Sequence, residues 1–457
     1  MQNLATETAR LEAVRRVARF IHHTRFEDLP DEVVGHARRC FLDLLSCSFA
    51  GIPSRTGQIA RNFAASLCGT PECCLFGDDR RVPLPLAVLA NATVCEALDC
   101  DDGYNLVKGH PGAFLLPVVL AFAEREGLTG REILTSLVVG YEVAIRSVLL
   151  GSRLYAFYHG SGSWGGVGTA AIAARLMRLD EEATAHALGA AEYHGTIAPI
   201  MRCVSYPGMA KDGIGWGAFA GVSAALLAGA GFTAPPANLA LEAAEAEINS
   251  LGRRFLILDL YFKPYCCCRW AHAPVRAALK VARKHLLPPD SIERIVVESF
   301  AEACALSRNV PDSSEEAQYS VAYPVAAALL YGDVGPEQVL EDRYRDPRAA
   351  ALCRRTEFVH RPDYQAEFPG RRLAEVKITA GGRTYFSGTV AAHGDPSDPL
   401  SSAEIEDKFR RYVRPYLRTT EADDILAWVS RLETLSGQDM QRIIATLAAA
   451  RRKTKTL

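Results

Sequence analysis

The chain of 457 residues has almost no net charge. It carries 51 Lys+Arg against 53 Asp+Glu, a formal balance of -2. A protein that holds nucleic acid by bulk electrostatics needs a basic excess, so that class is set aside. No window offers the ~20 uninterrupted apolar residues of a membrane-spanning helix. The first twenty residues, MQNLATETARLEAVRRVARF, are broken by charges every few positions and read as an amphipathic helix, not a signal peptide. There is no C-x-x-C pair, no internal repeat and no low-complexity tract. The thirteen cysteines are an odd number, dispersed or directly adjacent (Cys73-Cys74, Cys266-Cys267-Cys268), which predicts free thiols in a reducing cytoplasm. At this length the chain is expected to divide into more than one domain.

What is present is helix after helix. Asp31–Ala50 places Val34, Ala37, Cys40, Leu42, Leu44 and Leu45 on one broad face, with Asp31 as N-cap and Gly51 as stop. Leu84–Leu98, Leu115–Arg125, Glu132–Leu149, Gly168–Arg178, Glu181–His194 and the Gly/Ala-rich Gly213–Ala230 follow. Several are apolar all round, the mark of buried helices. The pattern changes after about Phe262. Ser291–Phe300, Leu373–Ala380 and Arg383–Ala391 alternate as strands, the last two joined by Gly381-Gly382 as a hairpin. Helices are expected between them at Ala271–His285, Ser320–Tyr331 and Pro336–Leu340. From Ser402 the chain is helical again and ends in a basic Arg451–Leu457, read as a solvated end. The fold class is therefore mainly α. A large helical domain is built from both termini (1–261 and 395–457), with a smaller α+β lid (262–394) inserted.

Four clusters could carry chemistry. Asp99-Cys100-Asp101-Asp102, with His110 eight residues on, closes a buried helix. Adjacent carboxylates repel, so one should hold a raised pKa or a cation; a polar helix end is the plainer reading. The spacing does not suit a calcium loop. His159-Gly160-Ser161-Gly162-Ser163-Trp164-Gly165 matches G-x-G-x-x-G, but it follows a helix, so the dinucleotide reading fails. What remains is a glycine-rich turn before a helix N-terminus, suited to a carboxylate. His159 there is either an acid/base or a partner of loop backbone. Lys211, opening a Gly/Ala-rich stretch, is either an ion-pair partner of Asp212 or a functional cation. Lys263-Pro264-Tyr265-Cys266-Cys267-Cys268-Arg269-Trp270-Ala271-His272 lies at the domain boundary, where its basic residues should lower a thiol's pKa. Tyr323 opens a later helix and, taken alone, is more often core than catalytic.

Together these segments resemble the MmgE/PrpD family. The likeness runs through FLDLLSCSFAG, ALDCDD followed by HPGAF, HGSGSWGGVGTAAIAARLMRLD, GMAKDG, KPYCCCRWAHA, YSVAYPVAAALL and GDPSDPLSSAEIEDKFR. The family includes 2-methylcitrate dehydratases, cis-aconitate decarboxylases and iminodisuccinate epimerases. The resemblance implies a homodimer with a site between the domains that uses no cofactor and no metal. The substrate is expected to be a small di- or tricarboxylate, with no nucleic-acid or membrane partner. Carried over by position are Asp99, His110, His159, Lys211, Lys263 and Tyr323. The chain departs from the pattern at Glu96, where relatives often have His, at Gly103, where they often carry a hydroxyl, and at Cys268, where the decarboxylases have His.

The implied chemistry moves a proton beside a carboxylate, which needs a base and cationic stabilisers. His159 is expected as base or acid. Asp99 and His110 would form a second pair able to protonate a leaving hydroxyl. Lys211 and Lys263 would stabilise the enolate, and Tyr323 would donate from the lid. Cys268 is a second acid/base. Lys263, Arg269, Gly160, Ser161 and His272 are expected to bind substrate in a locally cationic pocket. One intermediate can lose water, be reprotonated or lose carbon dioxide. The order expected is dehydratase, then epimerase with His159 opposite Cys268, then decarboxylase. A non-catalytic binding protein is the alternative of another class.

Overall fold

The structure, a computed structural model, describes residues 2–153, 155, 157–240, 244–306, 310–340 and 342–451. All of the basic end beyond Arg451 lies outside these residues. The first part is helical: α1 (Gln2–His23), α2 (Asp31–Gly51), α3 (Leu84–Glu96), α4 (Gly112–Glu126), α5 (Gly130–Gly151), α6 (Gly162–Leu176), α7 (Glu181–Tyr193) and α8 (Ile214–Gly229). One end assignment differs from expectation: Asp31 is the first residue of α2, and Pro30 takes the cap position without a side-chain bond. Gly51 is the last residue of α2, and a Cβ there would sit 1.8 Å from the Val94 carbonyl oxygen of α3.

Small residues set the centre of the molecule. α6 packs on α5, α7 and α8. A Cβ on Gly217 would fall 2.5 Å from the Gly162 carbonyl oxygen, and one on Gly221 would fall 2.1 Å from that of Gly166. These glycines let two backbones touch, which leucine-sized residues would forbid. α6 begins six residues earlier than expected, inside the glycine-rich turn. α5 is long and apolar enough to cross a membrane, but it is buried within the protein. Its Glu142 and Arg146 pair with each other in the core.

Two short antiparallel pairs precede the main sheet. β1 (Cys73–Leu75) pairs β2 (Asp78–Val82), and β3 (Gly103–Tyr104) pairs β4 (Leu260–Tyr261). The five-stranded sheet is built from β5 (Ile292–Ser299), β6 (Thr356–His360), β7 (Leu373–Ala380), β8 (Arg383–Phe386) and β9 (Val390–Ala391). Its order is β6-β5-β7-β8, with β9 also on β7. β6 runs parallel to β5 and was not anticipated. The expected strand 383–391 is split into β8 and β9, because Gly388 turns the chain with φ +64. The Gly381-Gly382 hairpin is present, with φ +57 and +70. α9 (His272–His285) packs on β7 and on α10 (Ala322–Tyr331).

The last helices return to the first ones. α11 (Ser402–Val413) packs on α2, with Lys408 Nζ 2.7 Å from Asp43 Oδ1 and Phe409 edge-on to Phe49. α12 (Gly437–Ala448) packs on α4, where the Gln441 amide donates to the Ala123 and Glu124 carbonyls at 2.9 Å. Each has one apolar stripe, so each needs a partner already in place.

Candidate active site

After α3 ends at Glu96, the chain turns sharply through Asp99, whose φ of 52 is left-handed. It then runs through Cys100–Asp102 into β3. Pairing of β3 with β4 brings in Lys263, two residues past β4. Lys263 Nζ lies 2.5 Å from Asp99 Oδ1 and 2.9 Å from the Asp99 carbonyl oxygen. Both side chains are buried. Burial alone would lift the Asp99 carboxyl, but Lys263, His110 and Lys211 outweigh it and hold it below its usual value. Burial alone would lower the Lys263 ammonium, but Asp99 and Asp101 raise it. Both groups are therefore charged at neutral pH.

His110 closes the same loop. Its Nδ1 lies 2.8 Å from the Asp102 carbonyl oxygen. A carbonyl can only accept, so Nδ1 carries a hydrogen, and Nε2 is the atom that can take or give a proton. Nε2 is 3.6 Å from Asp99 Oδ1, and Nδ1 is 3.7 Å from Asp101 Oδ2. Asp101 is fully buried, and neither carboxylate oxygen has a hydrogen-bond partner among the described residues. Burial raises its pKa. Asp102 accepts from the Tyr141 hydroxyl and from the Gly112 N–H, and burial lifts it to about 8. Asp99, Asp101 and His110 offer ligand atoms within 4.8 Å of one another, as a metal would require. The Lys263 ammonium already supplies a cation to Asp99 there.

A second network joins this loop to the starts of α6 and α8. The His110 N–H donates to Ser161 Oγ at 3.0 Å, and the Ser161 hydroxyl donates to Asp212 Oδ1 at 3.1 Å. Asp212 Oδ2 accepts from the Tyr319 hydroxyl at 2.9 Å. The Asp212 N–H donates to Glu96 Oε1 at 3.0 Å. Lys211, with a left-handed φ of 42, does not pair with Asp212. Its Nζ donates to the Glu96 and Ala97 carbonyls at 2.9 Å and to Gln318 Oε1 at 2.7 Å. All three acceptors are neutral, so the expected ion pair with Asp212 is not formed. The Cys268 N–H donates to the Gln318 carbonyl at 2.9 Å, which places Cys268 at the edge of this network.

Several expectations are corrected. The pocket is not simply cationic: Lys211 and Lys263 stand among Glu96, Asp99, Asp101, Asp102 and Asp212. Burial raises Glu96, Asp101 and Asp102, so these three acids cancel less of the lysine charge than their number implies. The Cys268 thiol is not lowered by its basic neighbours. Burial and Asp99 push it up to about 12 against the pull of Lys263. His159 lies in a separate small recess with Tyr155, Ser163, Trp164, Glu192 and Asn238. Its ring packs against Tyr155 and Phe157, and neither ring nitrogen has a partner among the described residues. Gly160 backs onto the Asp212 carbonyl. Tyr323 points away from the lysines, because its hydroxyl donates to the Gln338 carbonyl at 2.5 Å. The tyrosine of that motif that reaches the network is Tyr319, four residues earlier. Arg269 is spent on Asp395 (2.7 Å) and the His393 carbonyl, which ties α9's entry to the chain after β9. His272 bonds the Cys267 carbonyl at 3.1 Å and packs at a tilt against Tyr265. Burial drives its pKa down.

Gln318, Tyr319 and Asp101 were not singled out in advance. The signal for Asp101 was its place in the acidic run. Tyr319 opened the YSVAYPVAAALL motif in which Tyr323 was chosen instead, and Gln318 carried no signal, since only long-range packing brings it in.

The sequence profile of the MmgE/PrpD N-terminal domain matches residues 15–252, and that of the MmgE/PrpD C-terminal domain matches residues 265–434. Cis-aconitate decarboxylase from Mus musculus is 26% identical over 449 residues, covering 92% of this chain and 90% of that protein. Cis-aconitate decarboxylase from Homo sapiens is 27% identical over 442 residues, covering 91% and 90%. The cis-aconitate decarboxylase-like protein oryM from Aspergillus oryzae is 24% identical over 465 residues, covering 92% and 94%. With both profiles matched in order along most of its length, the chain belongs to the MmgE/PrpD family.

Proposed function

We propose that the protein is a lyase that acts on a small polycarboxylate without an added cofactor, moving a proton at the carbon beside a carboxylate. The observation that carries this reading is the buried Asp99–Lys263 pair with His110 Nε2 facing it. His110 takes or returns the proton through Nε2. Lys263 and Lys211 offset the charge that develops on the enolate oxygens, where exclusion of water makes such contacts strong. Asp101, kept protonated more readily by burial, is suited to give a proton to a leaving hydroxyl. That favours loss of water, and dehydration of a hydroxy-tricarboxylate of the 2-methylcitrate type is the leading reading.

Decarboxylation is the second reading. It is favoured by the cis-aconitate decarboxylases that match nine-tenths of the chain. Epimerisation falls behind both. It would need His159 and Cys268 on opposite sides of one carbon, and Cys268 is not among the residues around the His159 recess. A thiol held at about 12 also stays protonated at neutral pH, leaving almost no thiolate to act as base.

The division at 262 and 395 into a helical body and a lid is part of this proposal, as is a homodimer. The segment 193–232 leaves Tyr193, Tyr206, Trp216, Leu227 and Phe232 exposed, which supports a second copy as their cover. Thirteen free cysteines support a reducing cytoplasm. To test the reaction, the protein is incubated with hydroxy-, amino- and unsaturated polycarboxylates in deuterated water and followed by proton NMR. Water loss, deuterium uptake without water loss, and carbon dioxide release separate the three readings. None of them with any substrate leaves the non-catalytic binding protein.

A further inference from the structure

One tyrosine is delivered to the Asp99–Lys263 pair by the backbone itself. β3 and β4 pair Gly103 directly with Tyr261. Gly103 is one residue past Asp102, and Tyr261 is two residues before Lys263, so the phenol enters between the acidic loop and the lysine. It can do so only because residue 103 is glycine. A Cβ there would fall 2.2 Å from the Tyr261 hydroxyl oxygen and 2.3 Å from Cζ.

The ring is fixed. The Arg269 guanidinium lies 4.4 Å from its centroid, and that of Arg372 lies 5.6 Å away. Arg269 is anchored by Asp395, and Arg372 by Asn105 and the Pro369 carbonyl. Tyr261 is almost fully buried, with its phenol against the acidic loop at Gly103. Burial pushes its phenol up to about 12, Lys263, Arg372 and Arg269 pull it down, and Asp99 pushes it up. At neutral pH it is a protonated donor, surrounded mainly by cations. A hydroxyl donor set among cations is suited to a negatively charged oxygen.

We propose that Tyr261 is a substrate-binding residue whose hydroxyl donates a hydrogen bond to a carboxylate oxygen of the polycarboxylate held at Asp99–Lys263. The proposal rests on the lyase reading of that site, and its test reads binding, not turnover. Wild type, Tyr261→Phe and Gly103→Ala are titrated with propane-1,2,3-tricarboxylate by calorimetry at neutral pH, with thermal unfolding as the control on folding. Loss of a hydrogen bond to a charged group weakens binding in Tyr261→Phe about tenfold or more, with little change in Tm. Gly103→Ala, which keeps the hydroxyl but displaces it, weakens binding in the same direction. If the wild type binds and Tyr261→Phe binds equally well, the proposal is overturned and the lyase reading is left standing. If the wild type binds neither propane-1,2,3-tricarboxylate nor succinate, both fall together.

Discussion

Replacing Lys263 by methionine leaves the Asp99 carboxylate buried without its ammonium. Breaking a buried pair in this way costs about 3–5 kcal/mol, because the remaining charge is stranded. Lys263→Met is therefore expected to show a lowered urea midpoint as well as lost turnover. The acids of this loop act on stability with opposite signs. Asp99 is held below its unfolded value, so its contribution is present above the usual carboxylate range and is lost as pH falls through the depressed folded value. Asp102 is held at about 8, so its contribution is full below the unfolded value near 4 and is lost as pH rises toward 8. One such proton changes stability by at most about 1.4 kcal/mol per pH unit in that window. Urea unfolding of Asp102→Asn between pH 5 and 8 is expected to be flatter with pH than that of the wild type. An equal slope would place the titrating group elsewhere. At this scale Asp99, His110, Lys211 and Lys263 were legible, because each sits in a short motif with its own chemistry. The exchange of Tyr323 for Tyr319 and the high Cys268 thiol were not. Both follow from burial by segments distant in the chain, which has no signature in neighbouring residues.

The elements place these side chains through backbone contact. α6 begins at Ser161–Gly162 and α8 just after Lys211-Asp212-Gly213, and the glycines between the two helices fix how far apart those starts lie. A Cβ on Gly221 would lie 1.9 Å from Thr169 Oγ1 and 2.1 Å from the Gly166 carbonyl oxygen. Overpacking of this kind costs about 1–3 kcal/mol. Gly221→Ala is expected to lower Tm by several degrees. It should also weaken polycarboxylate binding, although Gly221 lies about two turns into α8, beyond Lys211. Unchanged Tm and binding would mean the helices separate without moving the site. Helices were readable from their apolar periodicity, which local sequence encodes. Their starts were less so: α6 begins inside a glycine run whose helical state depends on α8 lying against it. β6 was missed for a related reason, since Thr356–His360 is a largely exposed edge strand without clear alternation.

At the scale of the whole molecule, the near-zero net charge hides a site where two lysines sit among five acids, three of them raised by burial. The return of the C-terminal helices to α2 and α4 was anticipated from their single apolar stripes. The second copy expected to cover Tyr206 and Trp216 is checked by light scattering: a dimer for the wild type and a monomer for Trp216→Glu, whereas a monomeric wild type would remove the homodimer. The central claim is the lyase centred on Asp99, His110 and Lys263. Its most direct measurement is proton NMR of citrate-type hydroxy-tricarboxylates and cis-aconitate in deuterated water, with wild type beside His110→Gln. Turnover by the wild type and at least a hundredfold loss in a still-folded His110→Gln are the expected result. A variant as active as the wild type, or a wild type that leaves every polycarboxylate unchanged, would contradict it.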